Sequence, residues 1–141
     1  MRHLGIALAC AAALCAAALL PAAATAAGGF QTFTTPSGNI GCAMDRQFAR
    51  CDVWRHSWKA PPKPRTCRLD WGQGMYVFTR GRGRFVCAGD TTINPRAAVL
   101  GYGRSRRAGR FTCTSRRSGM TCSHSGSGHG FTVSRTSYRA F

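Results

Sequence analysis

Apolar residues along this chain recur at alternate positions rather than at helical spacing, and glycines mark where the alternating runs begin. A Gly-x-apolar-x-Cys unit occurs three times, as Gly38-Asn39-Ile40-Gly41-Cys42, Gly83-Arg84-Phe85-Val86-Cys87 and Gly109-Arg110-Phe111-Thr112-Cys113. Successive side chains of an extended strand point to opposite faces, so the apolar residue and the cysteine of each unit share one side. Each unit therefore predicts a strand with one buried face. The first and third units are followed nine positions on by a second cysteine, Cys51 and Cys122. Opposing Cys42 to Cys51 in an antiparallel hairpin sets Ile40 against Val53 and Met44 against Ala49, with Arg50 and Asp52 on the other face. The connecting loop becomes Asp45-Arg46-Gln47-Phe48, whose leading Asp suits a type I turn. The same count on Cys113 and Cys122 closes through Arg116-Arg117-Ser118-Gly119 and puts His124 opposite Phe111. A further hairpin is expected from Met75-Tyr76-Val77-Phe78 through Arg80-Gly81-Arg82-Gly83 into Arg84-Phe85-Val86-Cys87.

No window beyond the N-terminal stretch sustains a 3.6-residue apolar period, and Leu is scarce there. The predicted fold class is all-β: a small disulfide-stapled β-hairpin sandwich or partly open barrel with at most one short helical turn. That turn is expected at Asn94-Pro95-Arg96-Ala97-Ala98-Val99-Leu100, where Asn caps, Pro occupies the first helical position and Gly101 stops it. Pro61-Pro62-Lys63-Pro64 reads as an extended connector.

The N-terminal residues follow a different pattern. Arg2 and His3 precede an Ala/Leu run from Leu4 to Leu20, Pro21 breaks it, and Ala24-Thr25-Ala26 offers the small residues a signal peptidase reads. Residues 1–26 are expected to be an export signal and 27–141 a single secreted β domain, extracellular or associated with the cell envelope. The run is short and weakly apolar for a membrane span. Without paired arginines at the start, the general secretory route is expected over the twin-arginine one. Ala7-Leu8-Ala9 before Cys10 makes a poor lipobox. Six cysteines remain beyond the signal: Cys42, Cys51, Cys67, Cys87, Cys113 and Cys122. An even count in an exported protein reads as three disulfides. Six cysteines allow fifteen pairings. The hairpin register favours Cys42–Cys51 and Cys113–Cys122, which leaves Cys67 for Cys87.

Charge narrows the reading further. The 141 residues include 20 Lys plus Arg against 4 acidic groups, a formal charge of +16. The acidic residues are Asp45, Asp52, Asp70 and Asp90, and nine arginines follow the last of them. An acidic scaffold is excluded by this balance, and a large multidomain enzyme by the length. A GC-rich genome writes Arg in place of Lys whatever the function, but it does not remove Glu. Arg104, Arg106 and Arg107 precede a hairpin whose outward face would show Arg110, Thr112, Thr114 and Arg116, with Arg117 at its tip. These six arginines are the anion-binding candidates, since clustered guanidinium groups attract phosphates and acidic sugars. Arg80, Arg82 and Arg84 alternate with glycine and read most simply as a solvated turn. Trp54 and Trp58, beside Arg55, His56 and Lys59, could stack bases; the simpler expectation packs Trp54 under the proline segment. A basic surface that only aids solubility explains the charge equally well.

Chemistry at a catalytic site finds little footing. His56, His124 and His129 could act as bases, yet no G-x-S-x-G elbow occurs, and six bridged cysteines leave no free thiol. On the cysteine face His124 is expected to be half-buried and hydrogen-bonded, and Asp52 and Asp70 to pair with nearby arginines. No catalytic residue is therefore assigned. His124 and His129 lie five apart without adjacent carboxylates, and no C-x-x-C pair is present, so neither a metal nor a cofactor is expected.

Several segments together carry a family likeness. They are Phe33-Thr34-Thr35-Pro36-Ser37-Gly38-Asn39-Ile40-Gly41-Cys42, Arg50-Cys51-Asp52-Val53, Asp70-Trp71-Gly72, Phe85-Val86-Cys87-Ala88-Gly89-Asp90, Tyr102-Gly103 and Gly128-His129-Gly130-Phe131-Thr132-Val133-Ser134-Arg135. With its PSGNI-x-C opening and GHGF-x-x-SR close, the chain resembles a family of small exported actinobacterial proteins carrying a domain of unknown function. The resemblance implies export and a disulfide-bonded domain, and it supplies no catalytic residues. The strong basic balance is a departure from it. The functional expectation is a secreted binding module without catalysis, with anionic envelope polymers or nucleic acid as partner. An extracellular enzyme inhibitor or cationic antimicrobial protein is the alternative, and a hydrolase a third reading.

Overall fold

The computed structural model describes residues 29–141. The export-signal reading of residues 1–26 falls outside the described residues. Eleven strands and no helix occur among them. Accordingly no helix there is long and apolar enough to cross a membrane.

The first sheet contains β1 (Gln31–Thr34), β2 (Ile40–Met44), β3 (Phe48–Val53), β4 (Asp70–Phe78), β5 (Arg84–Ala88) and the short β6 (Ala98–Val99), in the order β5-β4-β3-β2-β1-β6. The second contains β7 (Ser105–Ala108), β8 (Phe111–Arg116), β9 (Gly119–His124), β10 (Gly130–Val133) and β11 (Tyr138–Ala140), a meander in the order β11-β10-β9-β8-β7. All pairings are antiparallel except β1 with β6.

Both nine-residue hairpins adopt the register their alternation implies. Cys42 faces Cys51, with Ile40 on Val53 and Met44 on Ala49; Cys113 faces Cys122, with Phe111 on His124. Asp45 closes the first turn as expected, its Oδ1 accepting from the backbone N–H groups of Gln47 (2.7 Å) and Phe48 (3.1 Å). The disulfides are Cys42–Cys51, Cys67–Cys87 and Cys113–Cys122, with Cα separations of 4.1, 5.9 and 4.1 Å. Directly opposed cysteines on neighbouring strands stand close enough for their sulfurs to bond, so the hairpin register itself selects these two pairs.

The sheets pack face to face through these cysteines. One inner row runs Phe33, Cys42, Cys51, Met75, Phe85 across the first sheet. The opposing row runs Arg106, Cys113, Cys122, Phe131, Ala140. The sulfurs of Cys51 and Cys122 meet at 3.6 Å, so two disulfides touch at the centre of one continuous core. The arrangement is a sandwich of two open sheets rather than a closed barrel.

A strap from Gly89 to Ala97 must carry the chain from β5 at one edge of the first sheet to β6 at the other, and it crosses the sheet's outer face. Asp52 faces outward as its alternation requires, yet the strap buries it completely. Its Oδ2 accepts from the Thr92 N–H at 2.9 Å, and the Thr92 hydroxyl donates to the Gly41 carbonyl at 2.6 Å. Arg50 binds Asp52 at 2.8 Å and Asp90 of the strap at 2.7 Å. These are the only ion pairs among the described residues, so the expected partner for Asp70 is not found.

The strap also ends differently from the helical expectation. Asn94 Oδ1 accepts from the Arg96 N–H and the Ala97 N–H closes one turn onto the Asn94 carbonyl. Ala98–Val99 then pairs with β1, and the Leu100 N–H donates to the Thr34 carbonyl at 2.8 Å. A free sheet edge offers hydrogen bonds at once, whereas a short helical turn must first overcome its nucleation cost.

The tryptophans correct a second expectation. Trp54 is 61% exposed and does not lie under the proline segment, whereas Trp58 is only 8% exposed. Val53 points inward opposite Ile40, so the next residue, Trp54, faces out. Trp58 turns back onto the core, its indole N–H donating to the Ser134 carbonyl at 2.8 Å. The indole that meets the prolines is Trp71, bonded to the Pro61 carbonyl at 2.8 Å.

Candidate anion-binding cleft

At one end of the sandwich, the β1–β2 loop, the exit of β3, the β8–β9 turn and the end of β10 surround a cleft of about 450 Å³. Four arginines line it: Arg55, Arg116, Arg117 and Arg135. All four are exposed, and none pairs with a carboxylate among the described residues. No acidic residue lines the cleft.

Each wall is fixed by backbone contacts. Asn39 holds the Arg55 backbone from both sides, its Oδ1 accepting from the Arg55 N–H at 3.0 Å and its Nδ2 donating to the Arg55 carbonyl at 3.1 Å. The Ser57 N–H donates to the Arg135 carbonyl at 2.9 Å, tying the exit of β3 to the end of β10. Ser134 Oγ accepts from the N–H groups of Thr136 and Ser137, which shapes the bend after β10. Arg117, at the tip of the β8–β9 turn, lies over the Tyr102 ring at 5.0 Å from its centroid. Gly119 closes that turn against β10, where a Cβ would come 2.4 Å from the Val133 carbonyl oxygen.

Guanidinium groups held this way present planar donor forks suited to phosphate or carboxylate oxygens. Four like charges lining one cavity, with no acid among its lining residues, give it a positive potential. Across the Thr35–Gly38 loop, Trp54 lines a neighbouring groove with Pro36, Ile93 and Val99. An exposed indole and an arginine cleft thus share one loop as their common wall.

A family model described as a family of unknown function, DUF6636, matches residues 12–141. The chain belongs to DUF6636. No curated protein and no solved structure matches this DUF6636 chain.

The six arginine candidates in this DUF6636 protein do not form one patch. Arg116 and Arg117 are in the cleft. Arg104 is exposed at the entry to β7, its backbone bonded to Gly101 and Ser115. Arg106 is half-buried on the inner face, because it stands opposite Cys113, and its guanidinium covers the Phe33 ring at 5.4 Å. Arg107, opposite Thr112, is the outward one of that pair. Arg110 sits at the far end of β8, six residues or roughly 20 Å of strand from Arg116. Arg55 and Arg135 were not among the candidates, although Arg135 ends the GHGF-x-x-SR segment and Asn39 lies within PSGNI. Those segments signalled positions without showing that they meet.

Two of the three described histidines of this DUF6636 chain pack against aromatic rings. His124 is buried against Phe111 with ring centroids 4.7 Å apart, and its Nδ1 accepts from the Ser127 N–H at 3.1 Å. His56 stacks on Trp58 at 3.6 Å. The His129 carbonyl accepts from the His124 N–H. No histidine bonds to an aspartate among the described residues. Cys51, Cys113 and Cys122 bring three sulfurs within 4.8 Å of one another, but these are disulfide sulfurs and offer no thiolate to a metal.

Proposed function

We propose that this DUF6636 protein is an exported binding module without catalysis, and that the cleft of Arg55, Arg116, Arg117 and Arg135 grips the phosphate or carboxylate groups of an extended anionic polymer. Convergence of four exposed arginines from three separate parts of the chain, with no acidic partner, carries the reading. Export is supported by the basic-then-apolar N-terminus and by three disulfides, which persist in oxidising compartments. Trp54 beside the cleft supports a polymer with stackable groups, such as single-stranded nucleic acid or a glycan-bearing envelope chain.

The test is affinity for a phosphodiester polymer and for a polyuronate, each measured across a salt series. Binding should fall steeply with salt, since each neutralised phosphate releases a counterion. Replacing Arg116, Arg117 and Arg135 together by Gln should weaken binding by about tenfold or more and flatten the logarithmic salt slope by roughly two to three. Gln substitutions at Arg96 and Arg104, which lie outside the cleft, should change it far less. Equal losses from both sets would reduce the cleft to one part of a diffuse charge and overturn the proposal.

A further inference from the structure

The opposite end of the sandwich carries a different surface. Phe30, Phe48 and Phe78 all face outward from the first sheet there, Phe48 directly opposite Phe78. Phe30 is 65% exposed and Phe78 52%. Tyr76 extends the strip, 5.0 Å from Phe78 and paired across strands with Arg84. Around this strip lie the turns bearing Arg46, Arg80 and Arg82, all exposed. The β7–β8 turn joins them, because Gly109 packs on Arg46, while the Arg110 guanidinium beside it turns onto Gly126 of the β9–β10 loop. Two carboxylates adjoin this surface and both are engaged: Asp45 caps its own turn, and Asp90 is bound by Arg50, which stands opposite Tyr76.

We propose that this end docks onto an anionic lipid bilayer. Phe30 and Phe78 enter the boundary between headgroups and acyl chains, while Arg46, Arg80 and Arg84 meet the lipid phosphates. Exposed phenyl rings fringed by cations match the two demands of an interfacial site, apolar burial and attraction to anionic headgroups. Tyr76 has the amphipathic ring that settles at headgroup depth. Three other occupants fit less well. A sugar chain stacks on rings that share a plane, and here neighbouring rings are inclined by 43°, 64° and 63°. A second copy would set these arginines against the same arginines. A charged polymer needs the cations alone and leaves the phenyl rings in water. The surface shares no lining residue with the arginine cleft and stands whether or not the cleft binds polymer.

Vesicles of phosphatidylglycerol and phosphatidylcholine, against vesicles of phosphatidylcholine alone, test it. The wild-type protein should co-sediment with the anionic vesicles only, and part of the binding should survive salt that screens surface charge. Phe30→Ser with Phe78→Ser should weaken the association by about tenfold or more while thermal midpoint and heparin retention hold. In a Trp54→Phe background, Phe78→Trp should shift its emission to the blue and be quenched by brominated acyl chains. Gln at Arg116, Arg117 and Arg135 should leave vesicle binding unchanged, so the two proposals fail separately. Any of three results overturns the docking: vesicle binding equal to wild type in the Ser variant, no quenching at position 78, or quenching of native Trp54 instead.

Discussion

At Gly41 a single methyl group decides whether the strap can cross the first sheet. A Cβ there would lie 2.4 Å from the Thr92 carbonyl oxygen and 2.8 Å from the Ile93 Cα, both backbone atoms with nowhere to retreat. Gly41→Ala should destabilise the fold by about 1–3 kcal/mol, read as a lower urea midpoint with an unchanged slope. The charges beneath the strap are just as local. Burial would pull the Arg50 guanidinium down, but hydrogen bonds and charge from Asp52 and Asp90 outweigh it and hold the group above its usual value. Asp52→Ala leaves that guanidinium without its buried partner and should cost about 3 kcal/mol in chemical unfolding. Asp90 differs because its side chain is 80% exposed. The hydrogen bond and charge of Arg50 hold its carboxyl below the usual carboxylate range. A carboxyl with a depressed folded-state pKa contributes stability above the unfolded value and loses it as pH falls through the folded one. Asp90→Asn should therefore cost no more than about a few tenths of a kcal/mol at neutral pH, since solvent screens the pair. The difference from wild type should vanish in acid, as unfolding at a series of pH values would show. Arg50 and Asp52 were placed on their face by alternation alone, and Asp45 in its turn by residue type. That Asp52 is buried was not legible, because the atoms covering it come from a segment 40 residues away.

At the scale of elements, the hairpins explain which disulfides resist attack. Cys42, Cys51, Cys113 and Cys122 are wholly buried between the sheets, whereas Cys87 is partly exposed near one edge. Mild reductant under native conditions should open Cys67–Cys87 first, leaving the two central bridges intact until the sheets separate. Alkylation and peptide mass mapping after partial reduction would show the order; simultaneous labelling of all six cysteines would contradict it. Replacing Cys42 and Cys51 together by Ala should cost about 2–4 kcal/mol from loop entropy, and more once the contact with Cys122 is lost. The strands at either edge were harder to read. In Arg104-Ser105-Arg106-Arg107 nothing apolar marks the inner face, so only pairing with β8 reveals that Arg106 turns in and Arg107 out. The residues of β6 lay between helical end signals at Asn94 and Gly101, but the open edge of β1 held them extended.

The whole molecule presents two basic ends with different companions, an arginine cleft beside Trp54 and an arginine fringe around exposed phenyl rings. Separated by the length of the strands and sharing no lining residue, they should act independently. Combining the cleft Gln variant with the Phe→Ser pair should yield losses in polymer and vesicle binding that match those of each alone. A coupled loss would mean that one surface serves both ligands. By itself the sequence determined the all-β class, the two nine-residue hairpin registers and the pairing of the six cysteines. The class, the registers and two of the bridges rest on alternation within a few residues, where a register slip of one would send an entire apolar face into water, and Cys67–Cys87 follows by elimination. Only the tertiary structure decided which arginines meet, which tryptophan is buried and how the strap hides an aspartate. Those outcomes depend on contacts between segments 40 to 78 positions apart, such as Asp52 with Thr92 and Ser57 with Arg135. Side chains on surface turns carry no periodic signal of their partners, so their convergence is set by how two sheets lie on each other.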